Sequence, residues 1–294
     1  MEVGRLINYS PERYLACMRA LRAAYGNDQI NRDPAYCQSF GAKLPDSTLC
    51  APGTDVRVLG IGSGSGDVDS AILKKLLQRH NSVFNRVVEP SEEMIELYKA
   101  GVSEDTSLGA VKFDWRQQTA EEYFQTKDPK DTKFHLIHAI HVLYHVEDLH
   151  ATLRDMWEQL ADGGYMLIAI KSGKDAGAKL WYKLWEEFGR GDRLETSLRT
   201  SDDVKHWLDA KGISYVSSEE DGFAFNINIS ECFNEESEEG RKILDFLTQT
   251  PHVSSMPEIR SMALEYLRRN STGVDGKIIH KRKFEVILAS KKGE

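Results

Sequence analysis

The sequence predicts an α/β fold, a largely parallel sheet with helices packed on both faces, and three observations predict it. From residue 55 onward, short apolar and β-branched runs alternate with amphipathic stretches, the rhythm of a chain that crosses from strand to helix and back. The first of these runs passes straight into the glycine-rich stretch Gly60-Ile61-Gly62-Ser63-Gly64-Ser65-Gly66-Asp67. The second ends on a carboxylate, in Val87-Val88-Glu89-Pro90-Ser91.

Taken in order, the elements begin with an amphipathic helix. Tyr14, Met18, Leu21 and Tyr25 recur at helical spacing, and a second short helix follows Pro34. Strands are then expected at 55–59, 85–89, 111–115, 134–140 and 165–170, with helices at 67–80, 91–100 and 147–160 between them. Further helices are expected at 175–188 and 201–211 and a strand at 223–229. Ser201-Asp202-Asp203 makes a good helix start, because a side-chain oxygen can accept an orphan N–H while the acids favour the positive end of the dipole. A final strand at 283–289 is expected to close the sheet as an antiparallel hairpin at its edge.

Composition narrows the function. With 294 residues, 40% of them apolar, the chain can bury a sizeable core. Its net charge of −8 is spread along the sequence, which argues against nucleic acid or an anionic bilayer as partner. No run approaches the ~20 apolar residues of a membrane span, and the start lacks a signal-peptide pattern. Cys17, Cys37, Cys50 and Cys232 are widely separated and form no CxxC pair, so a reduced, cytoplasmic protein is expected. With no coiled-coil heptad or long uncovered apolar face, a monomer is expected too.

The glycine loop and the acid together specify an adenosine cofactor. A loop of this kind lets backbone approach a ligand and aims helix N–H groups at it, while a carboxylate at the end of the next strand can accept from both ribose hydroxyls. The spacing decides between cofactors. A strict GxGxxG is absent; Gly62, Gly64 and Gly66 follow GxGxG, which resembles the first motif of class I methyltransferases.

The resemblance extends further. Lys43-Leu44-Pro45, the Gly62–Gly66 loop, Val88-Glu89-Pro90-Ser91, Ile137-His138-x-Ile140-x-x-Leu143-Tyr144, Lys179-Leu180-Trp181, Thr200-Ser201-Asp202-Asp203 and Asp245-Phe246-Leu247-Thr248 occur in the order of the histamine N-methyltransferase family. That resemblance implies a Rossmann-like class I methyltransferase sheet of seven strands, the last antiparallel, with a small substrate-binding part. It implies S-adenosylmethionine as cofactor, a small-molecule amine or imidazole as substrate, and an N-methylated product. On it, residues 1–50 are a helical cap, 51–172 the cofactor-binding core, and 173–294 the remaining sheet and substrate elements of a single domain.

Carried over by position, the cofactor residues are Gly60, Gly62, Gly64 and Glu89, with Met94 where the family has a glutamine, Ala120 where it has a serine, and Ile140. Tyr14, Trp181 and Phe246 match aromatic pocket residues, which suits a flat or cationic acceptor, although aromatics at these places also serve as ordinary core. The polar substrate contacts depart from the family. A glutamine becomes His141, a tyrosine His145, an asparagine Arg282, and the family's glutamate falls at Asp33 or, on a slipped alignment, Asp28. Asp33, His141 and Arg282 are accordingly expected to orient the acceptor. If Arg282 points inward it suits a carboxylate, and hence an amino acid or a dipeptide such as carnosine; if the register differs by one it faces solvent.

His135, His138, His141, His145 and His150 invite a metal reading, but no thiolate or carboxylate set accompanies them and strand alternation separates the first three. No metal is expected. Rival readings are a methyltransferase of another small amine, guanidine or carboxylate, a non-catalytic adenosine-cofactor-binding protein, and, most distantly, a nicotinamide-dependent oxidoreductase.

Overall fold

In the computed structural model, the described residues are 6, 10–25, 34–45, 49–50, 54–126, 132–189, 199–218 and 225–292. Their elements in chain order are α1 (Pro11–Ala24), α2 (Pro34–Gly41), β1 (Val56–Ile61), α3 (Asp67–Leu77), β2 (Val83–Val88), α4 (Glu92–Glu104), β3 (Val111–Arg116), α5 (Ala120–Gln125), β4 (Phe134–Ile140), α6 (Leu149–Gln159) and β5 (Leu160–Lys171). There follow α7 (Ala176–Phe188), α8 (Ser201–Ala210), β6 (Tyr215–Ser218), β7 (Phe225–Asn228), α9 (Glu238–Thr248), α10 (Pro257–Arg269), β8 (Ser271–Val274), β9 (Lys277–Arg282) and β10 (Phe284–Ser290). They fall into two compact units, one made of Met1–Ile30, Lys171–Asp202 and Glu219–Phe284, the other of Asn31–Ile170, Asp203–Ser218 and Glu285–Glu294.

The second unit holds a seven-stranded sheet in the order β3-β2-β1-β4-β5-β10-β6. β1 through β5 pair in parallel. β10 is antiparallel to β6, as the expected mixed sheet requires. Val56, Val58, Leu59 and Ile61 of β1 and Leu136, Ile137 and Ala139 of β4 are all buried, because a central parallel strand is covered on both faces. Side chains cap the helices: Ser91 accepts from Met94 N–H at the start of α4, Thr119 and Glu122 form a capping box at α5, and Asp148 caps α6.

The place of the final strand differs from expectation. β10 lies inside the sheet between β5 and β6, and the short β6 takes the edge. The reason is composition: Val286, Ile287 and Ala289 are buried, whereas β6 exposes most of Val216. A strand apolar on both faces cannot sit at an edge, and a four-residue strand can.

The first unit is built on α1, α7, α9 and α10 and a three-stranded antiparallel sheet, β7-β9-β8. Leu180, Leu184, Ile227, Ile243, Leu247, Ala263 and Leu267 form its core. The β8–β9 hairpin, absent from the sequence expectations, turns on Asp275 and Gly276, both at positive φ (48° and 74°). That Asp-Gly pair is the residue signal of a tight hairpin turn.

Candidate functional site

In the second unit the carboxyl ends of the parallel strands lie level. The Gly62 N–H donates to Val88 O at 2.8 Å and the Glu89 N–H to Arg116 O at 3.1 Å, so the exits of β1, β2 and β3 share one rim. β1 is also in register with β4, Gly60 beside His138 and Ile61 beside Ala139. This rim is where open α/β sheets bind ligands. The cofactor residues expected from sequence are there: Gly60, Gly62 and Gly64 on β1 and its loop, Glu89 after β2, half-buried Met94 in the first turn of α4, buried Ala120 opening α5, and half-buried Ile140 ending β4.

Two glycines show why the loop needs them. Gly62 has φ 66°, and a Cβ there would collide with the side chain of Val142. Gly64 has φ 55° and nothing within 4 Å of where its Cβ would stand, so its backbone lines open space. The Gly64 N–H donates to Glu89 Oε2 at 2.9 Å, and the Ser91 N–H donates to Oε1 at 3.0 Å. The carboxylate is thereby fixed from both sides at the edge of that space. Burial pushes its pKa up, against the two N–H donors that hold it down. Each oxygen keeps a lone pair for a further donor. An acceptor set of this kind, beside bare backbone, fits the vicinal hydroxyls of a ribose.

His141 leaves the end of β4 in a left-handed conformation, φ 56°, while its N–H still donates to Ala169 O at 2.8 Å. Its Nε2 meets the Tyr36 hydroxyl of α2 at 2.6 Å. Tyr36 was missed by the sequence reading; its only signal is its place on the helix after Pro34, which the alternation of strands does not reach. His145 sits one turn on, its N–H donating to Val142 O at 2.8 Å, and desolvation lowers its pKa to about 4, so it is neutral near pH 7. His138, 1% exposed, faces buried Asp69 with Nε2 to Oδ1 at 3.7 Å, a packed residue beneath the loop. Among the described residues no group of three or more His, Cys, Asp or Glu is arranged to hold a metal ion.

The remaining acceptor candidates lie in the first unit, apart from Asp33 and Asp28, which lie outside the described residues. Tyr14 of α1 and Phe246 of α9 are brought together, ring centroids 5.5 Å apart. Trp181 of α7 is fixed by its Nε1–H, which donates to Leu247 O at 2.5 Å. Arg282 of β9 is 6% exposed, so the solvent-facing alternative falls away. Its guanidinium lies 5.3 Å over the Phe284 ring and hydrogen-bonds the Tyr25 hydroxyl.

Known proteins give this geometry a family. A sequence model for the Methyltransferase domain family matches residues 19–218. Histamine N-methyltransferase B of Xenopus laevis is 35% identical over 257 residues, covering 84% of this chain and 86% of that protein. The histamine N-methyltransferase of Danio rerio is 36% identical over 244 residues, covering 79% and 80%. Among solved structures, the YcgJ protein of Bacillus subtilis superposes with a TM-score of 0.54 at 15% identity, over 88% of this chain and all of that one, a likeness of fold. With its parallel sheet, glycine loop and Glu89 in place, the chain belongs to the histamine N-methyltransferase family of class I methyltransferases.

Proposed function

We propose that this protein transfers a methyl group from S-adenosylmethionine to a nitrogen of a small-molecule amine or imidazole, histamine or a related imidazole. The observation that carries it is Glu89, anchored by the Gly64 and Ser91 N–H groups at the edge of the open space that Gly64 lines. When bound, the cofactor supplies a methyl group already activated on a sulfonium. Gly60, Gly62 and Gly64 would give it backbone contact, Glu89 would accept from its ribose, and Met94, Ala120 and Ile140 would pack around it.

What remains for the protein is to position the acceptor and manage one proton. An imidazole is largely neutral near pH 7 and presents a lone pair without prior deprotonation. Asp33, His141 and Arg282 are the groups we assign to orienting it, with Tyr14, Trp181 and Phe246 supplying ring faces. His141 can carry its proton on either nitrogen, and the Tyr36 hydroxyl 2.6 Å from Nε2 donates to it or accepts from it accordingly. We place the protein in the cytoplasm, since Cys17, Cys37, Cys50 and Cys232 are free thiols. No helix among the described residues is long and apolar enough to cross a membrane.

The reading is tested by incubating the protein with methyl-labelled S-adenosylmethionine and a panel of histamine, histidine, carnosine, simple amines and amino acids. Label is expected on an imidazole nitrogen. Turnover confined to an oxygen or carbon acceptor would contradict it.

A further inference from the structure

Within the second unit a carboxylate is buried against the start of the glycine loop. Asp69, in the first turn of α3, is 2% exposed. Its Oδ2 stands 2.9 Å from the position a Cβ on Gly60 would take, and Ser63 Oγ and His138 Cε1 crowd the same point. Residue 60 has no side chain because these groups fill its place, so the bare backbone of Gly60, an expected cofactor contact, packs directly against Asp69. Among the described residues the one basic nitrogen within 4 Å of Asp69 is His138 Nε2, 3.7 Å from Oδ1, and Oδ2 completes no hydrogen bond with any of them. Glu89, 8% exposed, holds the same loop through the Gly64 N–H, and no Lys or Arg of the described residues lies within 4 Å of it either. Burial raises the Glu89 pKa, and the nearby charge of Asp69 adds to that rise. Two buried carboxylates thus act on one loop and repel each other.

Buried like charges are costly, and a cation that settles beside them recovers part of that cost. Burial raises the Asp69 pKa as well, while the His138 ring and the nearby Ser63 and Tyr98 hydroxyls favour its ionised form. A methyl donor and its product differ in the charge such a site senses. Transfer breaks the S–CH₃ bond and forms an N–CH₃ bond; the electron pair of the broken bond stays on sulfur, and the positive charge leaves with the acceptor nitrogen. S-adenosylmethionine is a sulfonium cation, whereas S-adenosylhomocysteine is a neutral thioether of otherwise identical structure. We propose that the Asp69 carboxylate, acting through the backbone of Gly60 and together with Glu89, makes the site prefer the sulfonium cofactor to the thioether product. The inference rests on reading the protein as an S-adenosylmethionine-dependent methyltransferase, and it gives Asp69 a specificity-determining role: product loses an attraction at the moment it forms and yields its place to fresh cofactor. Across about 10 Å, at an effective dielectric constant of about 20, one such charge changes an affinity roughly tenfold.

The test is titration calorimetry near pH 7 with three probes, methyl transfer being followed in parallel. The probes are S-adenosylmethionine, S-adenosylhomocysteine and sinefungin, which carries an ammonium where the methylated sulfur stands. The wild-type protein is expected to bind both cationic probes more tightly than S-adenosylhomocysteine. Asp69→Asn keeps the shape and removes the charge, and Asp69→Ser is a second neutral variant. Either should narrow the gap roughly tenfold by weakening the cationic probes, while S-adenosylhomocysteine affinity stays within about threefold and reports a folded loop. Ser63→Ala removes a neighbouring hydroxyl but keeps the charge, so it should move all three affinities together and leave the gap intact. S-adenosylhomocysteine binding as tightly as the cationic probes in the wild-type protein would overturn the proposal. So would a gap within about twofold of wild type in both neutral variants, or an equal fall of all three affinities in both, the mark of a residue that only supports the loop. Charge selection without methyl transfer to any amine would uphold the inference and contradict the enzymatic reading; transfer without charge selection would do the reverse, so the two fail separately.

Discussion

Glu89 shows how much rests on single atoms. Both its oxygens are occupied by backbone donors, so Glu89→Gln would turn an amide NH₂ toward an N–H and lose one of the two anchors. A charge-assisted bond of this kind is worth about 1.5–3 kcal/mol, so S-adenosylmethionine affinity is expected to fall roughly 10- to 100-fold by calorimetry. The glycine loop gives a paired prediction. Gly62→Ala puts a methyl group into Val142 on top of the strain of a positive φ and should lower the melting temperature strongly, whereas Gly64→Ala carries the φ strain alone, meets no protein atom, and should lose less stability while costing cofactor affinity. Equal loss of stability in both would contradict that division. Tyr36→Phe removes the partner of His141 Nε2. Its expected signature is a lowered kcat with a displaced pH–rate profile and unchanged cofactor affinity; a variant with the wild-type profile would remove Tyr36 from the mechanism.

At the scale of elements, α1 is held to α9 by a buried carboxylate. Asp245 accepts from the Arg13 guanidinium and from the N–H groups of His252 and Val253, the latter two at 2.9 Å, and it is fully buried. Asp245→Asn would leave a donor facing donors, and breaking such a set costs about 3 kcal/mol. The urea midpoint should fall accordingly, and the Tyr14–Phe246 pair, carried by the same two helices, should loosen with it. The elements that were legible in sequence are those with strong local pattern: β1, β2 and β4, short strands rich in apolar and β-branched residues, and α8, announced by Ser201-Asp202-Asp203. The β8–β9 hairpin was missed although Asp275-Gly276 encodes it, because Ser271–Val274 is largely exposed and lacks an apolar alternation. The buried position of β10 was misjudged because neighbour order within a sheet is a tertiary property. In the candidate site, the Gly62–Gly66 loop and Glu89 stood out by their spacing between strand and helix, while Tyr36 did not, because a tyrosine carries no sequence mark of what it will face.

For the molecule as a whole, buried imidazoles set the acid limb of stability. His135, His145 and His280 have folded pKa values pushed down to about 4 by desolvation. Against an unfolded value of about 6.5, the unfolded chain binds more protons throughout that window, so their contribution is complete above about pH 6.5 and lost as pH falls toward 4. Asp69 and Glu89, whose pKa values burial raises, work in the opposite direction, but they are two groups against four imidazoles, since burial lowers the His80 value as well. The melting temperature is expected to drop between pH 7 and pH 5 in scanning calorimetry; a rise on acidification would contradict this assignment.

Following labelled methyl groups from S-adenosylmethionine onto histamine, L-histidine and carnosine decides whether the Gly62–Gly66 loop and Glu89 serve methyl transfer to a nitrogen. The wild-type protein is expected to give a product methylated on an imidazole nitrogen, strongly diminished in Glu89→Gln. Tight S-adenosylmethionine binding with no transfer to these or any other amine would contradict it and leave a protein that keeps the cofactor site for binding alone.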